Sequence, residues 1–76
     1  MAWNPSPKVA DCRYIARKWS KKQVIIIGID DRGQMEMATY GETKTLCAVT
    51  QVFGDAAFNA IERVVRSAEL ELKENQ

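Results

Sequence analysis

Gln23-Val24-Ile25-Ile26-Ile27-Gly28-Ile29, cut off at once by Asp30-Asp31-Arg32-Gly33, is the stretch whose reading decides the fold. It is short, unbroken and rich in β-branched residues, which lose rotamer freedom in a helix and suit a strand. Alternation sends Val24, Ile26 and Gly28 to one face and Ile25, Ile27 and Ile29 to the other. Both faces are apolar, so both need cover. The turn that follows carries Gly33 for a positive φ and is somewhat longer than a two-residue hairpin loop. Residues 34–40 are then the return strand. Met35, Met37 and Thr39 lie on one side of it, and Gln34, Glu36, Ala38 and Tyr40 on a wetter one.

Outward from this hairpin, the upstream segment reads as a helix over 7–19, with Ser6 as N-cap and Pro7 in the first helical position. Val9, Cys12, Ala16 and Trp19 recur at spacings of three, four and three, which makes them its apolar face and puts Trp19 toward the core. Residues 1–5 are expected to form a flexible arm. Downstream, Gly41 is a hinge and Thr43 an N-cap, and a helical pattern runs from Lys44 to Lys73. Two apolar stripes follow it: Leu46, Val49, Phe53, Ala57, Ala60 and Val64, then Phe58, Ile61, Val65, Ala68 and Leu72. Gly54-Asp55 is either a glycine tolerated inside one helix or a break with Asp55 capping a third; the continuous helix is preferred. The expectation is therefore an α+β fold of order α-β-β-α, a two-stranded antiparallel hairpin packed on an N-terminal helix and a long C-terminal one, in a single small domain over residues 1–76.

A thirty-residue helix spans about 45 Å, whereas a seven-residue strand spans about 23 Å. The distal half of the long helix is thus expected to outrun the hairpin. Its stripe of Phe58, Ile61, Val65, Ala68 and Leu72 becomes the expected interface of a homodimer or a higher even oligomer. A chain of 76 residues has a small core, and association is a common supplement to one.

Histidine is absent, which removes the commonest general base and metal ligand, and no Cys-x-x-Cys pair accompanies Cys12 and Cys47. Asp30 and Asp31 are read as turn residues and Cys47 as a small core or boundary thiol. Neither an enzyme nor a cofactor or metal is expected. Gly41, Thr43, Lys44 and Thr45 form a possible anion site at a helix N-terminus, without the spacing of a phosphate loop. The first residues lack a basic region followed by an apolar one, and no apolar run is long enough to span a bilayer. The expected setting is a cytoplasm, with both thiols reduced and no membrane partner.

Charge is unevenly spread. The whole chain carries a formal +1, yet residues 8–22 hold six cations against the single acid Asp11. Arg13, Arg17, Lys18, Lys21 and Lys22 form a stripe suited to nucleic-acid phosphates or to an acidic protein surface.

Gln23-Val24-Ile25-Ile26, Thr39-Tyr40-Gly41-Glu42-Thr43 and Cys47 together resemble a group of small bacteriophage proteins of uncharacterised activity. In those, a basic helix precedes a Gln-Val-Ile strand, and a Tyr-Gly-x-Thr turn opens a helix with a Cys four residues after the Thr. The resemblance covers roughly residues 10–60; beyond Gly54-Asp55 the present helix runs on through Ile61 to Lys73. It implies a phage or prophage origin, a bacterial host cytoplasm, and a non-enzymatic role in binding and modulating a host or defence protein. The alternative is a nucleic-acid-binding accessory protein, or a protein that sequesters a nucleotide-like anion.

Overall fold

A computed structural model describes residues 7–74, with side chains through Leu70. The order is α-β-β-α: α1 (Val9–Trp19), β1 (Gln23–Ile29), β2 (Met35–Gly41) and α2 (Lys44–Glu74). The two strands form an antiparallel ribbon in which Gln23 lies opposite Gly41, Ile26 opposite Ala38 and Ile29 opposite Met35. The arm over residues 1–5 and the Ser6 cap lie outside the described residues, as do the side chains of Leu72 and Lys73.

α1 starts two residues later than expected. Lys8 is its N-cap, and the Asp11 carboxylate accepts the Lys8 backbone N–H at 2.9 Å. Pro7 instead stands outside the helix, near Gly28 of β1. Ser20 ends α1 in the left-handed region at φ 53°, and the next amide, that of Lys21, donates to the Ala16 carbonyl at 2.8 Å. The hairpin loop runs from Asp30 to Gln34. The Asp30 carboxylate accepts the amides of Arg32 (2.9 Å) and Gln34 (2.8 Å), and Gly33 takes φ 79°. Thr43 caps α2 as its sequence implies, its hydroxyl accepting the Leu46 amide at 3.1 Å.

The two helices take opposite faces of the ribbon. Cys12 and Ala16 of α1 are buried over the face of Val24, Ile26, Gly28 and Ala38, with the Cys12 thiol in reach of the Ile26 backbone. Ala38 is therefore the buried centre of the strand face expected to be wet. α2 crosses the other face, antiparallel to β2, and Gly54 sits within it without breaking it. An ideal Cβ on Gly54 would lie 2.8 Å from Thr39 Cγ2 and 3.0 Å from Met37 Sδ, so a glycine lets helix and strand come this close. One turn earlier, the fully buried Thr50 hydroxyl accepts Gln23 Nε2 at 2.9 Å and donates to the Leu46 carbonyl at 2.6 Å.

This geometry corrects the reading of α2's two stripes. Phe58 and Val65 follow Gly54 on the same side of the helix and are half-buried. Val65 lines a cleft with Gly33, Gln34 and Met35, and Glu69 reaches Gly33. The hairpin with its loop is thus long enough to cover α2 as far as Glu69. Phe58 and Val65 thus have their partner within the chain, while Ile61 and Ala68 are exposed. The other stripe is the less covered one: Leu46 and Ala57 are half-buried, but Phe53 is 55% and Val64 67% exposed. Trp19, 63% exposed, is likewise outside the core expected to hold it.

Replacing Gly54 by Ala is expected to lower stability by about 1–3 kcal/mol in urea unfolding, because Thr39 and Met37 must shift to admit the methyl group. In an open helix the same change would raise it by about 1 kcal/mol, so a stabilised variant would show that α2 and β2 are not in close contact.

Candidate functional site

The five cations singled out in the sequence are all exposed, and the end of α1 gathers three of them. The left-handed Ser20 turns the chain so that Lys21 and Lys22 flank the last turn of the helix. With Arg17, Ala16, Ser20, Tyr40 and Glu42 they line an open cleft. Arg13, one turn before Arg17, extends the cationic flank along α1 on the side that overhangs β2. Lys18 lies elsewhere, its Nζ 5.6 Å from the centre of the Trp19 ring. That contact is worth about 0.5–1 kcal/mol at an exposed site.

Nothing within the described chain neutralises these groups by direct pairing. The described ion pair is Glu62 with Arg66 on α2, 3.4 Å apart, and it involves no residue of α1. Asp11 is engaged in capping Lys8, and Glu42 is the one carboxylate lining the cleft. Tyr14, 66% exposed, stands among the cations on the outer side of α1. An exposed aromatic beside unpaired cations presents a flat stacking surface and point charges together. The sequence signal for this was the spacing of Tyr14 and Arg17, three residues apart on the helix and so neighbours on its surface.

The other candidate residues stay apart from this face or are already occupied. At Gly41, Thr43, Lys44 and Thr45 the helix-start amides are partly used, since the Leu46 amide donates to Thr43 Oγ1 and the Cys47 amide to the Thr43 carbonyl at 2.8 Å. A Cβ on Gly41 would strike the backbone of Leu46 and Cys47, so its glycine serves close packing of chain on chain. Asp30 is held in its own turn. Among the described residues no cluster of Cys, Asp or Glu could hold a metal ion. A second open cleft, which sequence reasoning missed, is lined by Arg32, Met35, Glu62, Val65, Arg66 and Glu69. It depends on the hairpin loop reaching the far end of α2. No helix among the described residues is long and apolar enough to cross a membrane.

Both cysteines are free. Cys47 is exposed, whereas burial, and then the neighbouring charge of Asp11, pushes the Cys12 thiol up from its ordinary value.

Comparison with known proteins finds no family model, no curated protein and no solved structure that matches the chain.

The thiols give a direct check on this packing. Cys47 is expected to react with an aromatic disulfide reagent at once and Cys12 only after unfolding. At neutral pH both states keep the Cys12 proton. On raising the pH the unfolded chain releases it first, so stability falls through the alkaline range. Unfolding curves of Cys12→Ala should show a shallower alkaline decline; an unchanged decline would assign it to other groups.

Proposed function

We propose that the protein acts by binding and not by catalysis, as a small phage-type protein that modulates a bacterial host or defence protein in the cytoplasm. Its contact surface is the cationic face of α1 and the cleft of Arg17, Lys21 and Lys22, and its partner presents an acidic surface. The observation that carries this reading is the absence of any ion pair to the α1 cations among the described residues, around an exposed Tyr14. Cations left solvated in this way raise the rate of encounter with an acidic partner, and complementary charge then fixes its orientation. The sequence resemblance to small phage proteins agrees with that mode of action. The lack of histidine removes the commonest general acid–base group.

A second reading, nucleic-acid binding through the same face, is favoured by the exposure of both Tyr14 and Trp19. Aromatic faces beside cations bind single strands with little sequence preference, each stacked base contributing about 1–3 kcal/mol.

Affinity capture from a bacterial lysate, with and without nuclease, separates the two. A protein partner retained after nuclease treatment, and lost from the Arg13→Glu, Arg17→Glu variant, is the expected result. Loss of all bound material on nuclease treatment would favour the second reading. In that case Arg13→Ala with Arg17→Ala should reduce the slope of log affinity against log salt by about 2 for duplex DNA. Capture that is the same for the wild type and the charge-reversed variant would overturn both.

A further inference from the structure

The molecule has an apolar side and a polar side, and the division follows the hairpin. Thr50 reaches Gln23 of β1, and Gln51, the next residue, hydrogen-bonds Thr39 of β2 at 3.1 Å. By helical geometry Phe53, Ala60 and Val64 lie on the Thr50 flank of α2, which overhangs β1. On the other face of the ribbon, Cys12 sits against Ile26 of β1, while Arg17 shares its cleft with Tyr40 of β2. The Cys12 flank of α1, with Ile15 and Trp19, therefore overhangs β1 as well. Among the described residues β1 has no strand on its outer edge, and its Ile25 and Ile29 are exposed. Three separate elements thus present apolar surface on one side.

We infer that this side receives a second copy of the chain, through antiparallel pairing of the two β1 strands about a two-fold axis. The product is a four-stranded sheet of order β2-β1-β1-β2, with the two α2 helices side by side on one face and the two α1 helices on the other.

Three features select a second copy as the occupant. The first is the residue pattern of α2. Phe53, Ala57, Ala60 and Val64 are spaced four, three and four, large-small-small-large, which reads the same in both directions. An antiparallel pair centred between Ala57 and Ala60 sets small against small at the axis and Phe53 against the partner's Val64. The second is the strand. β1 beneath that centre is at Ile27, and pairing about Ile27 brings Ile25 opposite the partner's Ile29, so the exposed isoleucines cover one another.

The third is area. The exposed side chains supply on the order of 500 Å² of apolar surface per copy, and the backbone edge and flanking atoms bring this toward the ~800 Å² per partner of stable complexes.

This inference is independent of the partner proposed for the cations of α1, because it is tested on the purified chain alone. Sedimentation at 10–50 μM is the first experiment (about 50 μM is ample for an interface of this size). The expected result is a dimer, and a monomer across that range overturns the proposal. Phe53→Glu with Val64→Glu should give a monomer whose circular dichroism keeps its helical content, with dimer affinity lower by about 100-fold or more. A dimer that survives both glutamates overturns this interface. A cross-link decides the matter should the glutamates unfold the chain. Mixing a Phe53→Cys chain with a Val64→Cys chain, each also carrying Cys47→Ser, and oxidising should join the two kinds of chain. Val52→Cys with Leu70→Cys, on the outward face of α2, should not join. Phe53→Cys chains that join only to themselves would indicate parallel helices and overturn the proposal.

Discussion

A ribbon of two strands that is apolar on both faces has to be covered on both, and the architecture follows from that requirement. With one helix for each face, α1 and α2 cannot meet each other, and no shared helix–helix core forms. What results is two thin interfaces with few fully buried side chains: Cys12, Ala16 and Ala38 on one face, and Thr50 with Gly54 on the other. Small residues dominate because they let helix and strand approach closely. In a chain this short the buried area is limited, so closeness of packing has to compensate for lack of volume.

Much of the fold was legible in the sequence because it is written in local chemistry. The β-branched run, the Asp-Asp-x-Gly loop and the Thr43 cap each act over a few residues and need no knowledge of distant ones. β1 falls on its expected residues, and α2 runs unbroken through Gly54 as preferred. What could not be read was the rotation of α2 about its own axis. Both its stripes are apolar with helical spacing, and periodicity does not say which one faces in. The choice is made by two residues outside the hydrophobic count: Gly54, which permits contact with Met37 and Thr39, and Thr50, whose hydroxyl holds Gln23. Both lie on the line of Phe58 and Val65, and these two therefore turn inward, with Ile61 between them left partly open.

The candidate site divides along the same boundary. Arg13, Arg17, Lys18, Lys21 and Lys22 were identified by charge alone, and their exposure follows from the cost of burying an unpaired cation. Their arrangement depended on Ser20, a non-glycine residue in a left-handed conformation that sequence gives little reason to expect. Trp19 was misread for the opposite reason: it recurs with Cys12 and Ala16, but the helix ends beside it, where the ribbon beneath has also run out. The Glu62–Arg66 pair was visible from its spacing, whereas the nearby cleft with Arg32 requires knowing how far the hairpin reaches.

The unequal character of the ribbon's two edges has a consequence for stoichiometry. The β2 side is bordered by Gln51, hydrogen-bonded to Asp55 at 3.0 Å, and by Glu62 and the cations of α1. Its strand carries Glu36 in an exposed position. Like copies meeting there would crowd charges of the same sign and strip water from polar groups. A ribbon with two adhesive edges would add copies without limit, as edge strands do in fibres. A ribbon with one adhesive edge stops growing when that edge is used, so assembly on the β1 side is finite by construction.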